Sequence, residues 1–296
     1  MKQKTLFRGI ATALATPMTS SGAIDYDAYG RLIDWQIESG VAGLVTCGTT
    51  GEASTMTAEE HRQTIAFAVK RAAGRVPVIA GTGANCTEKA VELTRFACAV
   101  GADACLVVTP YYNKATQRGL IAHYTAIADA SDRPVILYNV PSRTGVNIQP
   151  ATLEKICRLP QVVAVKEANP DVAQAMEKIN LVGDDATFYC GNDDLTIPLM
   201  VLGFQGVISV LSNVMPAETS KMTSLALSGN WAEASKMQRD LLPMVKALFC
   251  ETSPIPCKAA MSMMGMCRNE LRLPLIPMQE ANQQKLADIM RGWKLI

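Results

Sequence analysis

The sequence has few of the residues on which metal sites and charged binding surfaces depend. Its 296 residues include only two histidines, and the net charge is +1 with 19% charged residues. Both histidines, His61 and His123, lie in helical patterns, which gives little support to metal ligation or to a Ser-His relay. A net charge close to zero supplies no general attraction for nucleic acid. These absences favour a small molecule as the partner, with no metal and no nucleic acid.

Long apolar runs and paired cysteines are also missing. Lys2 and Lys4 precede an apolar stretch that loosely imitates a signal peptide, but Arg8 interrupts it, and no other apolar run approaches the length of a membrane span. The nine cysteines are an odd number and form no CxxC pair. Several fall inside apolar, strand-like runs, which favours a reducing compartment. We therefore expect a soluble, cytoplasmic protein with no membrane segment.

Short apolar runs that alternate with helical patterns dominate most of the chain. Eight such runs are typical of buried parallel strands. They begin at Gly9, Ala42, Pro77, Asp103, Pro134, Val162, Thr187 and Gly206. No GxGxxG fingerprint follows the first of them. Eight strands alternating with helices predict an α/β fold, a closed (β/α)8 TIM barrel rather than a doubly wound open sheet.

The strand pattern stops before the last seventy residues. Helical patterns then run over Trp231–Phe249, Ile255–Met266 and Met278–Met290, with prolines at the joints. We divide the chain into a catalytic barrel, residues 1–225, and a small C-terminal helical domain, residues 226–296. Nothing in the helical domain suggests chemistry, so its expected role is packing and assembly.

Lys166 ends the predicted sixth strand, on the side where (β/α)8 barrels carry their active sites. An isolated lysine at such a position more often extends to solvent. Here the other strand ends supply a guanidinium, phenols and hydroxyls, but no histidine. These candidate residues are Thr49, Thr50, Tyr112, Tyr138, Arg143, Gly191 and Ile208. Their chemistry favours a mechanism centred on the lysine amine.

A free lysine, with a pKa of about 10.4, is neutral in roughly one molecule in a few thousand at pH 7. Burial at a strand end disfavours the ammonium form, as does a nearby cation such as Arg143. The neutral amine of Lys166 is then able to form a Schiff base with a ketone, which makes a proton on the adjacent carbon removable. Tyr138, on the neighbouring strand, is the candidate proton carrier, and a threonine hydroxyl and a second tyrosine extend the relay.

Two loops suggest carboxylate binding. The turn around Thr49 and Thr50 offers backbone N–H groups and hydroxyls that suit the carboxylate of an α-keto acid. Arg143 is able to bind a second carboxylate as a bidentate fork. Both features also have simpler explanations, an ordinary strand-to-helix turn and a surface arginine.

The motifs together resemble, in order and spacing, the dihydrodipicolinate synthase and N-acetylneuraminate lyase family, over essentially the whole chain. The motifs that carry the resemblance are Gly48-Thr49-Thr50-Gly51-Glu52, Val108–Asn113, Tyr138–Gly145, Val165-Lys166-Glu167-Ala168 and Gly206–Val210.

The resemblance assigns a role to each candidate. It implies that Lys166 forms a covalent imine with pyruvate, so that no separate cofactor is needed, and that Thr50 with the backbone around Thr49 holds the pyruvate carboxylate. Tyr138, Thr49 and Tyr112 would relay protons, with Tyr112 crossing over from a neighbouring subunit. Arg143 would steer the carboxylate of the second substrate. Gly191 and Ile208 would line the pocket.

Within the family, the chain is most similar to the branch that condenses pyruvate with aspartate-4-semialdehyde in the diaminopimelate route to lysine. The lyase branch usually lacks the arginine found here at Arg143. Two alternatives stay open: another pyruvate-dependent aldolase acting on a sialic or sugar acid, and a non-catalytic binding module. The resemblance also implies a homotetramer built from tight dimers.

The chain departs from the family pattern at two places. Ala58 and Lys89 stand where lysine-inhibited members carry a histidine and a glutamate. Because a cation at position 89 repels lysine, we expect weak or absent feedback inhibition. Asn169-Pro170 replaces the Gly-Asn that usually follows the lysine strand, and the sequence assigns no effect to this change.

Overall fold

The computed structural model of the protein describes residues 5–296. Eight parallel strands close into a barrel in chain order, with β8 hydrogen-bonded to β1. The strands are β1 (Gly9–Ala13), β2 (Gly43–Thr46), β3 (Val78–Gly81), β4 (Ala104–Val108), β5 (Val135–Asn139), β6 (Val162–Glu167), β7 (Thr187–Cys190) and β8 (Gly206–Ser209). The predicted (β/α)8 barrel is confirmed.

Helices connect the strands and continue beyond the last one. They are α1 (Tyr26–Glu38), α2 (Ala58–Ala72), α3 (Thr87–Ala99), α4 (Gln117–Asp129), α5 (Pro141–Thr144), α6 (Pro150–Cys157), α7 (Val172–Val182), α8 (Thr196–Val201), α9 (Pro216–Leu227), α10 (Trp231–Leu248), α11 (Ile255–Met263) and α12 (Glu280–Gly292). Helix α10 packs against α9 and α12, so the C-terminal helices lie against the barrel. The predicted division after residue 225 falls within α9 and stays a prediction.

Local signals explain where the elements begin and end. The side chain of Thr57 accepts a hydrogen bond from the backbone of Glu60, and the Glu60 carboxylate accepts one from the backbone of Thr57, which forms the predicted capping box of α2. Helix α11 stops three residues earlier than predicted, because Gly265 takes a left-handed φ of 72°. Helix α12 starts two residues later than predicted, because Gln279 has an extended backbone (φ −60°, ψ 138°), and its N–H donates to the Glu251 side chain at 3.0 Å.

The apolar core has two parts, one between the strands and the helices and one inside the barrel. The strands are buried almost throughout, as strands with both faces covered must be. Phe7, just before β1, stacks on Tyr189 of β7 inside the barrel, with ring centroids 4.1 Å apart. Since Phe7 precedes the first strand, these rings fill the amino-terminal end of the barrel, and open space is left at the carboxyl ends.

No helix within residues 5–296 combines the length and the apolar character needed to cross a membrane.

Candidate active site

A cavity of about 190 Å³ opens at the carboxyl ends of the barrel strands. Six of the eight predicted site residues line it. These are Thr49, Thr50, Tyr138, Arg143, Lys166 and Gly191. Strands and loops that are distant in the sequence therefore bring an amine, a phenol, a guanidinium and two hydroxyls to one place.

Lys166 lies at the centre of this arrangement. It is the fifth residue of β6, and it is in register with Tyr138 on β5 and with Tyr189 on β7. Its relative exposure is 5%, and its Nζ lies 4.2 Å from the centroid of the Tyr138 ring. The alternative that this lysine extends into bulk solvent is therefore wrong.

The two tyrosines beside Lys166 differ in what their hydroxyls do. The Tyr189 hydroxyl donates to the carbonyl oxygen of Phe7 at 2.9 Å, and burial raises the pKa of Tyr189 to about 12. Tyr138 instead lines the cavity. The phenol available to exchange protons with a molecule bound at Lys166 is therefore that of Tyr138.

The threonine turn follows β2 and is closely packed from behind. Thr50 is buried, whereas Thr49 reaches into the open part of the cavity. A side chain at Gly51 would place its Cβ 3.2 Å from the carbonyl oxygen of Leu14 and from Oγ1 of Thr16, a tight contact that glycine avoids. The turn is thus pressed against the loop after β1, with its threonines facing the lysine.

Arg143, on the short helix α5, stands at the rim of the cavity. Its Nη2 donates to the backbone oxygen of Ser253 at 3.2 Å. Phe249 and Ser253, which follow α10, complete this wall of the cavity. The assignment of the C-terminal helices to packing and assembly is therefore incomplete. The only sequence signal for this contribution is the proline-rich joint after α10, which has no chemical pattern of its own.

Two predicted residues lie outside the cavity. Ile208 on β8 pairs with Ala11, which precedes the lining residue Ala13 by two positions, so Ile208 packs deeper in the barrel. From this part of the chain Val210 lines the cavity instead. Tyr112 is 90% exposed and has a φ of 74°, an uncommon conformation for a residue other than glycine. It does not line the cavity of its own chain.

Glu167 lies behind Lys166, on the opposite face of β6. Its carboxylate accepts hydrogen bonds from Asn139 and from Lys178, each at 2.7 Å, and the side chains of Glu167 and Lys178 are almost completely buried. The backbone N–H of Asn169 also donates to Glu167 at 2.8 Å. The backbone of Asn169 therefore supports the end of the lysine strand as the chain turns into α7.

A second cavity, of about 540 Å³, adjoins the first and shares Tyr138 and Arg143 with it. Its far wall includes Ala58, His61 and Lys89. The ring Nε2 of His61 lies 2.8 Å from a carbonyl oxygen at the end of β3, and burial lowers the pKa of His61. Weak lysine inhibition, expected from the residues at positions 58 and 89, stays a prediction.

Across residues 5–296, no group of three or more His, Cys, Asp or Glu side chains is placed to hold a metal ion. The polar groups that line the Lys166 cavity include an amine, a phenol, hydroxyls and a guanidinium.

A (β/α)8 barrel with a buried lysine at its carboxyl end, beside a tyrosine and facing a threonine turn, has the architecture of a lysine-dependent aldolase or synthase. The chain belongs to the dihydrodipicolinate synthetase family, whose model matches residues 6–292.

Individual relatives agree over the full length of the chain. The 4-hydroxy-tetrahydrodipicolinate synthase of Alkaliphilus oremlandii is 50% identical over 291 residues, which are 98% of this chain and 100% of that protein. The crystal structure of dihydrodipicolinate synthase from Aquifex aeolicus has 46% identity and a TM-score of 0.96, covering 98% of this chain and 99% of that chain. The crystal structure of a chloride-inhibited dihydrodipicolinate synthase from Acinetobacter baumannii, complexed with pyruvate, has 41% identity and a TM-score of 0.96, covering 99% of this chain and 100% of that chain.

Proposed function

We propose that the chain is a lyase that condenses pyruvate with L-aspartate-4-semialdehyde to give 4-hydroxy-tetrahydrodipicolinate, the activity for which its relatives are named. The observation that carries the proposal is the burial of Lys166 at the mouth of the barrel, with its amine 4.2 Å from the ring centre of Tyr138. A buried amine beside a phenol suits imine formation with a keto acid, because that step needs a neutral nucleophile and a proton carrier.

The reaction begins with attack of the Lys166 nitrogen on the ketone carbon of pyruvate. The carbinolamine formed loses water to become a protonated imine, and Tyr138 carries the protons that these two steps move. Loss of a proton from the methyl carbon gives an enamine, which forms a carbon–carbon bond with the aldehyde carbon of the second substrate. The amino group of that substrate then attacks the imine carbon, closes the ring and releases Lys166. One water is lost overall, and no oxidation or reduction takes place.

The threonine turn supports the binding of pyruvate in the required orientation. In the proposed site Thr50 and the backbone around Thr49 hold the carboxylate, on the side of the barrel opposite the lysine strand. Neither a metal nor a separate cofactor enters the scheme, since the imine on Lys166 itself withdraws the electrons. The bound cofactor-like species is thus the covalent pyruvate imine.

Arg143 is proposed to bind the carboxylate of aspartate semialdehyde at the rim. Its hydrogen bond to Ser253 fixes one edge of the guanidinium and leaves other N–H groups available. This arginine favours the synthase over the rival reaction, a sialic or sugar acid aldolase, which needs hydroxyl-binding groups at the same place.

The exposed position of Tyr112 supports an assembly of at least two chains. We propose a cytoplasmic homotetramer built from tight dimers, in which Tyr112 extends the proton relay of the neighbouring subunit. A tyrosine that is 90% exposed, at a positive φ, is well placed to reach beyond its own chain.

Borohydride reduction tests the proposal directly. Reduction in the presence of pyruvate, followed by peptide mass mapping, is expected to place a stable adduct on Lys166, with none in the Lys166→Ala variant. Lys178→Ala, which removes another buried lysine close to β6, is the matched control and should retain the adduct. A steady-state assay then compares aspartate semialdehyde with N-acetylneuraminate as substrates. An adduct at another residue, or turnover of N-acetylneuraminate alone, contradicts the proposal.

A further inference from the structure

We propose that Lys258, on the C-terminal helix α11, is a positioning residue for the threonine turn, acting through a buried ion pair with Glu52. This inference rests on the proposed function, in which the turn holds the pyruvate carboxylate. It gives the C-terminal helices a part in substrate binding.

The ion pair is completely enclosed. The Nζ of Lys258 lies 2.6 Å from Oε1 of Glu52, and both side chains are 0% exposed. The second oxygen of Glu52 accepts a hydrogen bond from the backbone N–H of Arg272 at 3.3 Å. Both carboxylate oxygens are therefore held by the C-terminal part of the chain, more than 200 residues away in sequence.

Glu52 is tightly linked to the residues that face the cavity. It follows Thr50 by two positions, and its backbone N–H donates to the carbonyl oxygen of Thr49 at 3.1 Å. Its φ of 56° is in the left-handed region, where residues other than glycine are uncommon. A shift of the Glu52 side chain therefore moves the turn that carries Thr49 and Thr50.

The side chain of Arg272 reinforces the same connection further along the loop. It contacts the Glu60 carboxylate, and it also donates to the backbone oxygens of Gly22 and Thr55 at 2.8 Å. The segment between β2 and α2 is thus fixed at two points by cations from the C-terminal region.

Stability alone is a weak reason for such a pair. Removing two charges from water carries a large desolvation penalty, and apolar residues of similar volume often stabilise a core as well or better. What the Glu52–Lys258 pair supplies is a defined direction, because a short charge-assisted hydrogen bond restricts both side chains. The pair therefore restricts the position of the threonine turn, which carries Thr49 and Thr50 beside the cavity.

The chain contains a matched control. Glu167 and Lys178 form a second ion pair, with Nζ and Oε2 2.7 Å apart and the side chains 1% and 0% exposed. This pair lies behind β6, and in a closed barrel of eight strands β6 is directly opposite β2. Lys178→Met therefore removes an equally buried cation, but behind the lysine strand instead of behind the threonine turn.

The experiment measures the pyruvate concentration that half-saturates borohydride trapping, together with KM for each substrate. Lys258→Met is expected to raise the half-saturating pyruvate concentration about tenfold or more, the effect of misaligning a hydrogen bond to a charged group. The KM for aspartate semialdehyde at saturating pyruvate should change less than about twofold. Because Lys178 lies behind the strand that carries Lys166, the effect of Lys178→Met should appear chiefly in the rate of adduct formation at saturating pyruvate, with a smaller change in the half-saturating pyruvate concentration than in Lys258→Met.

Glu52→Gln keeps the shape of the side chain and is the second variant, in case Lys258→Met does not fold. It should weaken pyruvate binding in the same direction, by a smaller factor. Unchanged pyruvate half-saturation in either folded variant, or an equal change in Lys178→Met, overturns the inference. Failure of the proposed function is distinguishable, because the unmodified protein would then form no pyruvate adduct on Lys166.

Discussion

Tyr138→Phe separates the chemistry of the phenol from the packing of the ring. The substitution keeps the aromatic face that lies 4.2 Å from the Lys166 amine and removes only the hydroxyl. A positioned proton carrier contributes about 10²–10⁴-fold to a rate, which corresponds to about 2.7–5.4 kcal/mol of barrier at 1.36 kcal/mol per tenfold. We therefore expect kcat to fall at least about a hundredfold, with little change in the melting temperature.

Tyr189→Phe is the matched control, because Tyr189 is the register partner of Lys166 on the other neighbouring strand. Its hydroxyl donates to the backbone carbonyl of Phe7, so removing that hydroxyl should reduce the stability of the fold and leave kcat unchanged. Leaving the Phe7 carbonyl without its partner is expected to lower the free energy of unfolding by about 1–3 kcal/mol.

Steady-state assays with both substrates, borohydride trapping and thermal melts distinguish the two tyrosines. The expected pattern is a slow but stable Tyr138→Phe variant and an active but less stable Tyr189→Phe variant. If Tyr138→Phe keeps kcat within about fivefold of the unmodified protein, well short of the contribution expected of a proton carrier, the assignment of Tyr138 is wrong. The same follows if both variants lose kcat equally.

Three further predictions concern the rim, the second cavity and the acid limit of stability. Arg143→Gln should raise KM for aspartate semialdehyde about tenfold or more while leaving pyruvate trapping unchanged, and equal effects on both substrates would contradict its role. With Ala58 and Lys89 in the second cavity, a titration with lysine should show no half-inhibition below about 1 mM, an affinity of roughly 4 kcal/mol. The hydrogen bond and charge of Arg272 lower the pKa of Glu60 from 4.5 to about 2, so this group stabilises the fold above pH 4.5 and its contribution is lost as the pH falls towards 2. Arg272→Met should therefore make the melting temperature fall less steeply between pH 5 and pH 3 in calorimetry, and an unchanged slope would count against the pair.

The parts of the site that the sequence predicts are those fixed by strand geometry. Lys166 and Tyr138 end apolar runs, and parallel pairing places the ends of neighbouring strands side by side, so their proximity follows from the pattern. The depth of a residue is harder to predict. Ile208 and Val210 differ by two positions on one face, and only the stagger of the closed barrel decides which of them reaches the cavity.

Contacts between distant segments have no local pattern at all. The Glu52–Lys258 pair spans 206 positions, and the bond from Arg143 to Ser253 spans 110. Glu52 follows a recognisable turn, but nothing around Lys258 distinguishes it from a surface lysine on a helix. Such pairings depend on how the last helices pack on the barrel, which periodicity does not specify.

The stacked rings of Phe7 and Tyr189 have a consequence for the order of events. They are 5% and 0% exposed and close the amino-terminal end of the barrel. Substrates and products of Lys166 therefore enter and leave through the carboxyl end. In the proposed reaction the keto acid must therefore be seated before the aldehyde arrives above it. The water released by imine formation leaves through the same opening, and the cyclic product must dissociate through it before the next turnover starts.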